Sequence, residues 1–133
     1  MIRVMPPTAP PVDRARVASA VDAFLRALGH DPSAGGELAG TPERVAAAWV
    51  DELLDGYRVD VAAMLAAETA PAPAERGVVV LRDLTVTTVC PHHLLPARGV
   101  ATVAYEPGAR VAGLGTIAKL VAAHAHRLTL QEH

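Results

Sequence analysis

The run TTVCPHHLLP, from Thr87 to Pro96, holds the only cysteine of the chain and two of its six histidines, side by side. A thiolate and an imidazole are donors that suit Zn2+. Cys90 and His93 stand in a C-x-x-H spacing, close enough for a single turn to offer both to one metal ion. Pro91 biases Cys90 away from helical backbone, so the pair belongs at a strand end or a turn. His92 then points elsewhere and is free for proton transfer, which suits an imidazole because its charge changes near neutral pH. A catalytic zinc site takes three protein ligands and leaves the fourth place to water. Two donors do not close such a site, and a cysteine that packs as a small hydrophobe is the competing reading of the thiol. His124 reads as a core histidine on the apolar face of a helix, and His126 and His133 as solvated.

The elements around this stretch divide by pattern. MPPTAPP (Met5 to Pro11) is a proline-rich arm, and residues 1–12 read as a flexible extension. Residues 13–70 read as a helical region. Val17, Val21, Phe24, Leu25 and Leu28 recur at helical spacing, with Gly29 as the stop. In TPERVAAAWVDELLDGY, Thr41 is the expected N-cap, Pro42 suits the first helical position and Glu43 favours the positive helix end. Val45, Trp49 and Leu53 form its buried stripe, and Gly56 is expected to end it. A short helix follows from about Asp60 to Glu68, then TAPAPAERG reads as a linker.

Residues 71–133 change character. GVVVLRDLTVTTVC is β-branched and reads as one strand, or two separated by a bulge near Arg82 and Asp83. ARGVATVAYEPGARVAG reads as a second strand and a turn at Pro107 and Gly108. After Gly115, a final helix places Ile117, Leu120, Val121, His124 and Leu128 on one face. Helices, an antiparallel β-hairpin and a helix make an α+β layout. Two strands under one helix have open edges that call for further strands or a partner.

The chain has 133 residues, 51% of them hydrophobic and 20% charged, with a formal net charge of −2, as expected of a single globular domain. Aromatic residues are only 3%, so Ala, Val and Leu must build the core and help from neighbouring subunits is expected. Without a basic stripe the chain lacks the phosphate-binding surface of a nucleic-acid partner. The absence of a long apolar run or signal-peptide core and a single cysteine read as a cytoplasmic protein with no membrane partner.

Four ordered motifs resemble the GTP cyclohydrolase I family. TPERVAAAWVDELLDGY is similar to its helix T-P-x-R-[VI]-A-K-M-[YW]-V-D-E. VVVLRDLTVTTVCPHHLLP is similar to the strand ending C-E-H-H-L-L-P. GVATVAYEPGARVAGLGTIAKLV resembles G-K-A-x-V-A-Y-x-P followed by V-I-G-L-S-K-I-A-R-L-V, and HRLTLQEH resembles R-R-P-Q-V-Q-E-R. The resemblance spans Thr41 to His133. It implies a tunnelling fold (T-fold) assembled as a homodecamer with sites between subunits. The implied reaction opens the imidazole ring of GTP with water at carbon 8, expels formate and recloses to 7,8-dihydroneopterin triphosphate. By the same resemblance Cys90 and His93 match two of three zinc ligands and His92 the proton-transferring histidine. Gln131 and Glu132 match the guanine-reading pair, and Lys119 and Arg44 match residues that bind the triphosphate.

The resemblance also has departures. The family's third zinc ligand is a cysteine in a downstream H-x-C stretch that these residues do not include, so the expectation is a chain incomplete at its C-terminus. The acidic residue between the family's Cys and His-His is Pro91 here, its Ser-Lys is Gly115-Thr116, and a helix lysine is Ala47. Two alternatives to an active cyclohydrolase follow: an inactive T-fold paralogue serving as an oligomeric binding or regulatory protein, and a T-fold enzyme acting on a pterin or purine without ring opening. Retention of C-x-H-H disfavours the second. Each lost charge-assisted phosphate contact is worth ~1.5–3 kcal/mol when desolvated. Turnover of less phosphorylated guanosine compounds is therefore expected to rival that of GTP, and a large preference for GTP at micromolar concentration would contradict it.

Overall fold

A computed structural model describes residues 12–75 and 77–130; the proline-rich arm, except Val12, and Gln131 to His133 lie outside the described residues. Asp13 caps helix α1 (Arg14–Ala27), its carboxylate accepting from the Arg16 N–H at 3.1 Å. Val17, Val21 and Leu25 are half-buried, and α1 packs on α2 (Thr41–Ala48). Phe24 and Leu28, expected on the same buried face, are 63% and 59% exposed. The chain leaves α1 at Gly29 with φ +86°, the left-handed conformation expected of a glycine stop.

Two details of the second helical stretch differ from the sequence reading. Gly40, in the left-handed region at φ +72°, is the N-cap of α2, and Thr41 is the first helical residue. The Thr41 hydroxyl accepts from Arg44 Nη2 at 2.8 Å instead of capping the helix. The helix widens into a π turn over Trp49–Leu53 and a 3-10 turn over Asp55–Arg58 follows. Gly56 lies inside that turn, buried, and its role is clearance: a Cβ there would stand 2.5 Å from the Ala123 carbonyl oxygen and 2.7 Å from that of His126.

Helix α3 (Val61–Glu68) is capped by Asp60, which accepts from the Ala63 N–H at 2.9 Å. The next three residues, expected to begin a linker, form strand β1 (Thr69–Pro71), which pairs antiparallel with β4 (Arg110–Ala112). Arg110 secures this pairing by donating to the Thr69 hydroxyl and carbonyl. The main hairpin joins β2 (Val79–Val89) to β3 (Pro96–Tyr105), running from Val79↔Tyr105 to Val89↔Pro96. Its register shifts between Leu81 and Leu84, and Asp83 takes φ +59°, which places the bulge where the sequence put it. Helix α4 (Leu114–Ala125) covers β2, and Leu81, Ala112 and Ile117 centre a core with Val79, Leu84, Val103 and Tyr105 around it.

The architecture is α+β, as the order of patterns indicated. The expected face of α4 holds in part, with Ile117 buried and Leu120 and Val121 half-buried. Thr116, Ile117 and Ala123 are its buried residues, His124 is exposed, and α4 ends before Leu128. His126, expected in solvent, is half-buried with Nδ1 2.7 Å from Asp55 Oδ1. Among the described residues no helix is long and apolar enough to cross a membrane. Because both atoms facing Gly56 are backbone carbonyls that cannot swing aside, Gly56→Ala is expected to cost about 2–3 kcal/mol of stability, read from the urea midpoint at unchanged slope.

Candidate functional site

The hairpin turn assembles the Cys-His stretch. The Cys90 N–H donates to the Leu95 carbonyl at 3.0 Å, and the Leu94 N–H donates to the Cys90 carbonyl at 2.8 Å. Leu94 closes the turn at φ +55°, a left-handed conformation that costs a leucine energy and is held by these two bonds. The resulting loop folds His93 back over Cys90, with Sγ 3.8 Å from Nδ1. A tetrahedral zinc ion with Zn–S ~2.3 Å and Zn–N ~2.0 Å would hold such donors about 3.5 Å apart, so the pair lies near the spacing of two positions of a zinc site.

The electrostatics favour the ligating form of the sulfur. The His93 N–H, then the His93 imidazole, then the His92 N–H hold the Cys90 thiol below its ordinary value of 9.0. The His92 ring stands edge-on to that of His93, with centroids 6.3 Å apart and planes at 82°, and its side chain is exposed. One turn thus gathers the three residues singled out in the sequence. Among the described residues no group of three or more His, Cys, Asp or Glu side chains is placed to hold a metal ion together.

The chain end runs beside this turn. Leu128 forms a parallel bridge with Val89, the Thr129 N–H donates to the Val89 carbonyl at 3.3 Å, and the Thr88 and Thr129 hydroxyls lie 3.1 Å apart. Gln131 and Glu132 follow directly but lie outside the described residues. Lys119 and Arg44 make their contacts elsewhere. Lys119 Nζ lies 2.7 Å from Glu68 Oε1. Arg44 donates to the Ala39 carbonyl at 2.9 Å, the Glu37 carbonyl at 3.3 Å and the Thr41 hydroxyl at 2.8 Å. Thr116 is buried with its hydroxyl 3.3 Å from both the Glu68 carbonyl and Oε2.

Residues that the sequence patterns did not single out surround the chain end. Arg127 is only 8% exposed and Tyr57 lies beneath it, the guanidinium carbon 5.5 Å from the ring centroid. A buried arginine has no local signature. Its clue in the sequence is the motif HRLTLQEH, where Arg127 falls on the second arginine of R-R-P-Q-V-Q-E-R.

The sequence model of GTP cyclohydrolase I matches residues 17–133. The chain belongs to the GTP cyclohydrolase I family. GTP cyclohydrolase 1 of Chromobacterium violaceum is 46% identical over 124 residues, covering 92% of this chain and 58% of that protein. The protein of the same name from Leifsonia xyli subsp. xyli is 46% identical over 123 residues, covering 90% and 62%. That from Allorhizobium ampelinum is 40% identical over 131 residues, covering 98% and 64%. The chain therefore spans about three-fifths of the length of these relatives. The family relationship agrees with the four motifs read from the sequence.

Glu68 carries the titration that the site region exposes to test. Chiefly the hydrogen bond from Lys119 holds the Glu68 carboxyl below its ordinary 4.5, against an opposing effect of burial and with smaller help from the Lys119 charge and the Thr116 hydroxyl. A depressed carboxyl stabilises the fold above the unfolded-state value and loses that contribution as pH falls through the folded value. Glu68→Gln is expected to remove this part of the acid sensitivity, giving a shallower fall in melting temperature below about pH 4.5.

Proposed function

We propose that this chain carries the zinc pair and the guanine-reading residues of a GTP cyclohydrolase I-type hydrolase with the tunnelling fold. The observation that carries the reading is the 3.8 Å approach of Cys90 Sγ to His93 Nδ1 at the hairpin tip, in a member of this family. When bound, Zn2+ supplies a Lewis acid that activates water at neutral pH. Cys90 and His93 would hold it, with a further donor from outside the described residues.

The chain's own groups supply the remaining functions. His92, exposed beside His93, delivers a proton to the purine nitrogen as the bond to carbon 8 breaks. Glu132 accepts together from the N1–H and the exocyclic amine of guanine, with Gln131 beside it. Lys119 and Arg44 answer the phosphates. The products are formate and 7,8-dihydroneopterin triphosphate. Exposed Phe24, Leu28, Leu95 and Val100 and the open hairpin edges support a homo-oligomer whose subunits share sites.

A second reading, the inactive oligomeric paralogue, is favoured by the internal engagement of both phosphate-facing cations, Lys119 by Glu68 and Arg44 by three acceptors. The test measures bound zinc, formate and the fluorescent oxidised pterin after incubation with GTP. Cys90→Ala and His93→Ala are expected to lose zinc and product together. His92→Ala is expected to keep zinc while losing about 10²–10⁴-fold in rate. A zinc-loaded oligomer that releases no formate establishes the second reading instead.

A further inference from the structure

Glu68, the last residue of α3, lays its carboxylate against α4. One oxygen, Oε1, accepts from Lys119 Nζ at 2.7 Å, and the other, Oε2, lies 3.3 Å from the Thr116 hydroxyl. That hydroxyl is also 3.3 Å from the Glu68 carbonyl. Both Thr116 distances are long for O–H···O bonds, so Lys119 is the principal partner of the carboxylate. The backbone beneath it is fixed by other contacts. Thr69 pairs with Ala112, and Arg110 donates to both the hydroxyl and the carbonyl of Thr69. The Glu68 side chain can therefore turn away while α3, β1 and α4 keep their places.

Lys119 is the only lysine of the chain, and every other long basic side chain is an arginine. Arginine is a planar fork suited to one fixed set of acceptors, whereas an ammonium on a flexible stem changes partners readily. With its side chain 61% exposed, Lys119 also stands within reach of a dissolved ligand. The chain thus sets its one mobile cation on a carboxylate, a group with the charge sign of a phosphate but fewer acceptor oxygens. We propose that Glu68 is a specificity-determining residue for phosphate, an internal competitor that holds Lys119 until a phosphorylated ligand displaces it. The inference rests on the proposed phosphate-facing role of Lys119. A ligand with a single weak negative charge does not offset the broken pair, while a phosphate chain does. Every ligand that takes Lys119 binds less tightly by the fraction of time the lysine is free.

A competitor and a merely structural residue give opposite signs when the carboxylate is removed. Loss of structure weakens binding, whereas loss of a competitor strengthens it. Titration calorimetry measures dissociation constants of inorganic tripolyphosphate, GTP and guanosine for the full chain, Glu68→Gln, Lys119→Met and the double variant. Tripolyphosphate has no base, so its binding is read apart from guanine recognition. Glu68→Gln is expected to bind tripolyphosphate and GTP about fivefold more tightly, on the scale of one exposed ion pair, with guanosine unchanged. Adding Lys119→Met to Glu68→Gln is expected to cancel that gain. Unchanged, undetectable or weaker phosphate binding in Glu68→Gln overturns the inference, and so does an equal gain for guanosine. A gain that survives Lys119→Met also overturns it, since the effect is then the loss of one negative charge alone. The phosphate-facing role of Lys119 fails separately. If Lys119→Met weakens tripolyphosphate binding in neither background, that role is overturned and the inference with it. If Lys119→Met weakens binding in the Glu68→Gln background while Glu68→Gln gives no gain over the parent, the role stands and the competition is overturned.

Discussion

A methyl group does not fit between Gly56 and the last turn of α4, and the arrangement of the chain end depends on that clearance. With glycine there, the 3-10 turn over Asp55–Arg58 brings its backbone against the Ala123 and His126 carbonyls. Three pairings follow from the one close approach. The Gly56 carbonyl becomes an acceptor for Arg127, Asp55 comes level with His126, and Tyr57 slides beneath the guanidinium. The positive charge of Arg127 then sits at the carbonyl end of α4, where the helix dipole favours a cation and Ala123 offers an unpaired oxygen. Backing off by an ångström would strand a buried guanidinium, so the glycine and the arginine are a single structural unit.

Elsewhere the chain is thinly packed. Val89 is the one large side chain among the described residues that is buried completely, and the other buried hydrophobic residues there are three alanines, one valine, one leucine and one isoleucine. Phe24, Leu28, Leu95 and Val100 remain largely in solvent. Two two-stranded ladders bury too little apolar area to be stable alone. Besides the small core of Leu81, Ala112 and Ile117, polar contacts tie them into one body: the Tyr105 hydroxyl bridging both backbone groups of Ala112, Arg110 on Thr69, and Glu68 on Thr116 and Lys119. Apart from the Tyr105 bridge, these ties join Glu68 and Thr69 to Arg110, Thr116 and Lys119. A body with few apolar contacts relies on them for register.

Much of this was legible from period and chain punctuation. The bulge at Asp83 announces itself as a charged pair, Arg82-Asp83, inside a β-branched run, and the Gly29 stop and Asp60 cap have direct local causes. The C-x-x-H turn was legible because Pro91 excludes a helix there, and spacing then forces His93 back over Cys90. What escaped are contacts made at long range. A strand of three residues at Thr69–Pro71 exists only because Arg110–Ala112 comes to lie beside it. His124 and His126 exchange roles because Asp55, 71 residues before His126, selects which imidazole is drawn inward. Thr41 gives up capping because Arg44 claims its hydroxyl. In each case a partner distant in sequence, or a competing donor, overrides the local preference.

The two cations assigned to phosphate differ in how readily they could be released to it. Lys119 is paired with a single carboxylate near the surface, where water screens the attraction and the net worth of such a pair is small. A phosphate group carries more charge and more acceptor oxygens than Glu68, so exchange of partners favours the phosphate. Arg44 is held differently. Its two nitrogens satisfy two backbone carbonyls and a hydroxyl in the loop that leads into α2, and Gly40 would bring a Cβ to within 3.1 Å of Nη1 were it any other residue. Releasing Arg44 would give up three hydrogen bonds that brace the loop into α2 around the left-handed turn at Gly40. Under the proposed reading, Lys119 is thus the cation more readily exchanged to a ligand, while Arg44 serves as structure first.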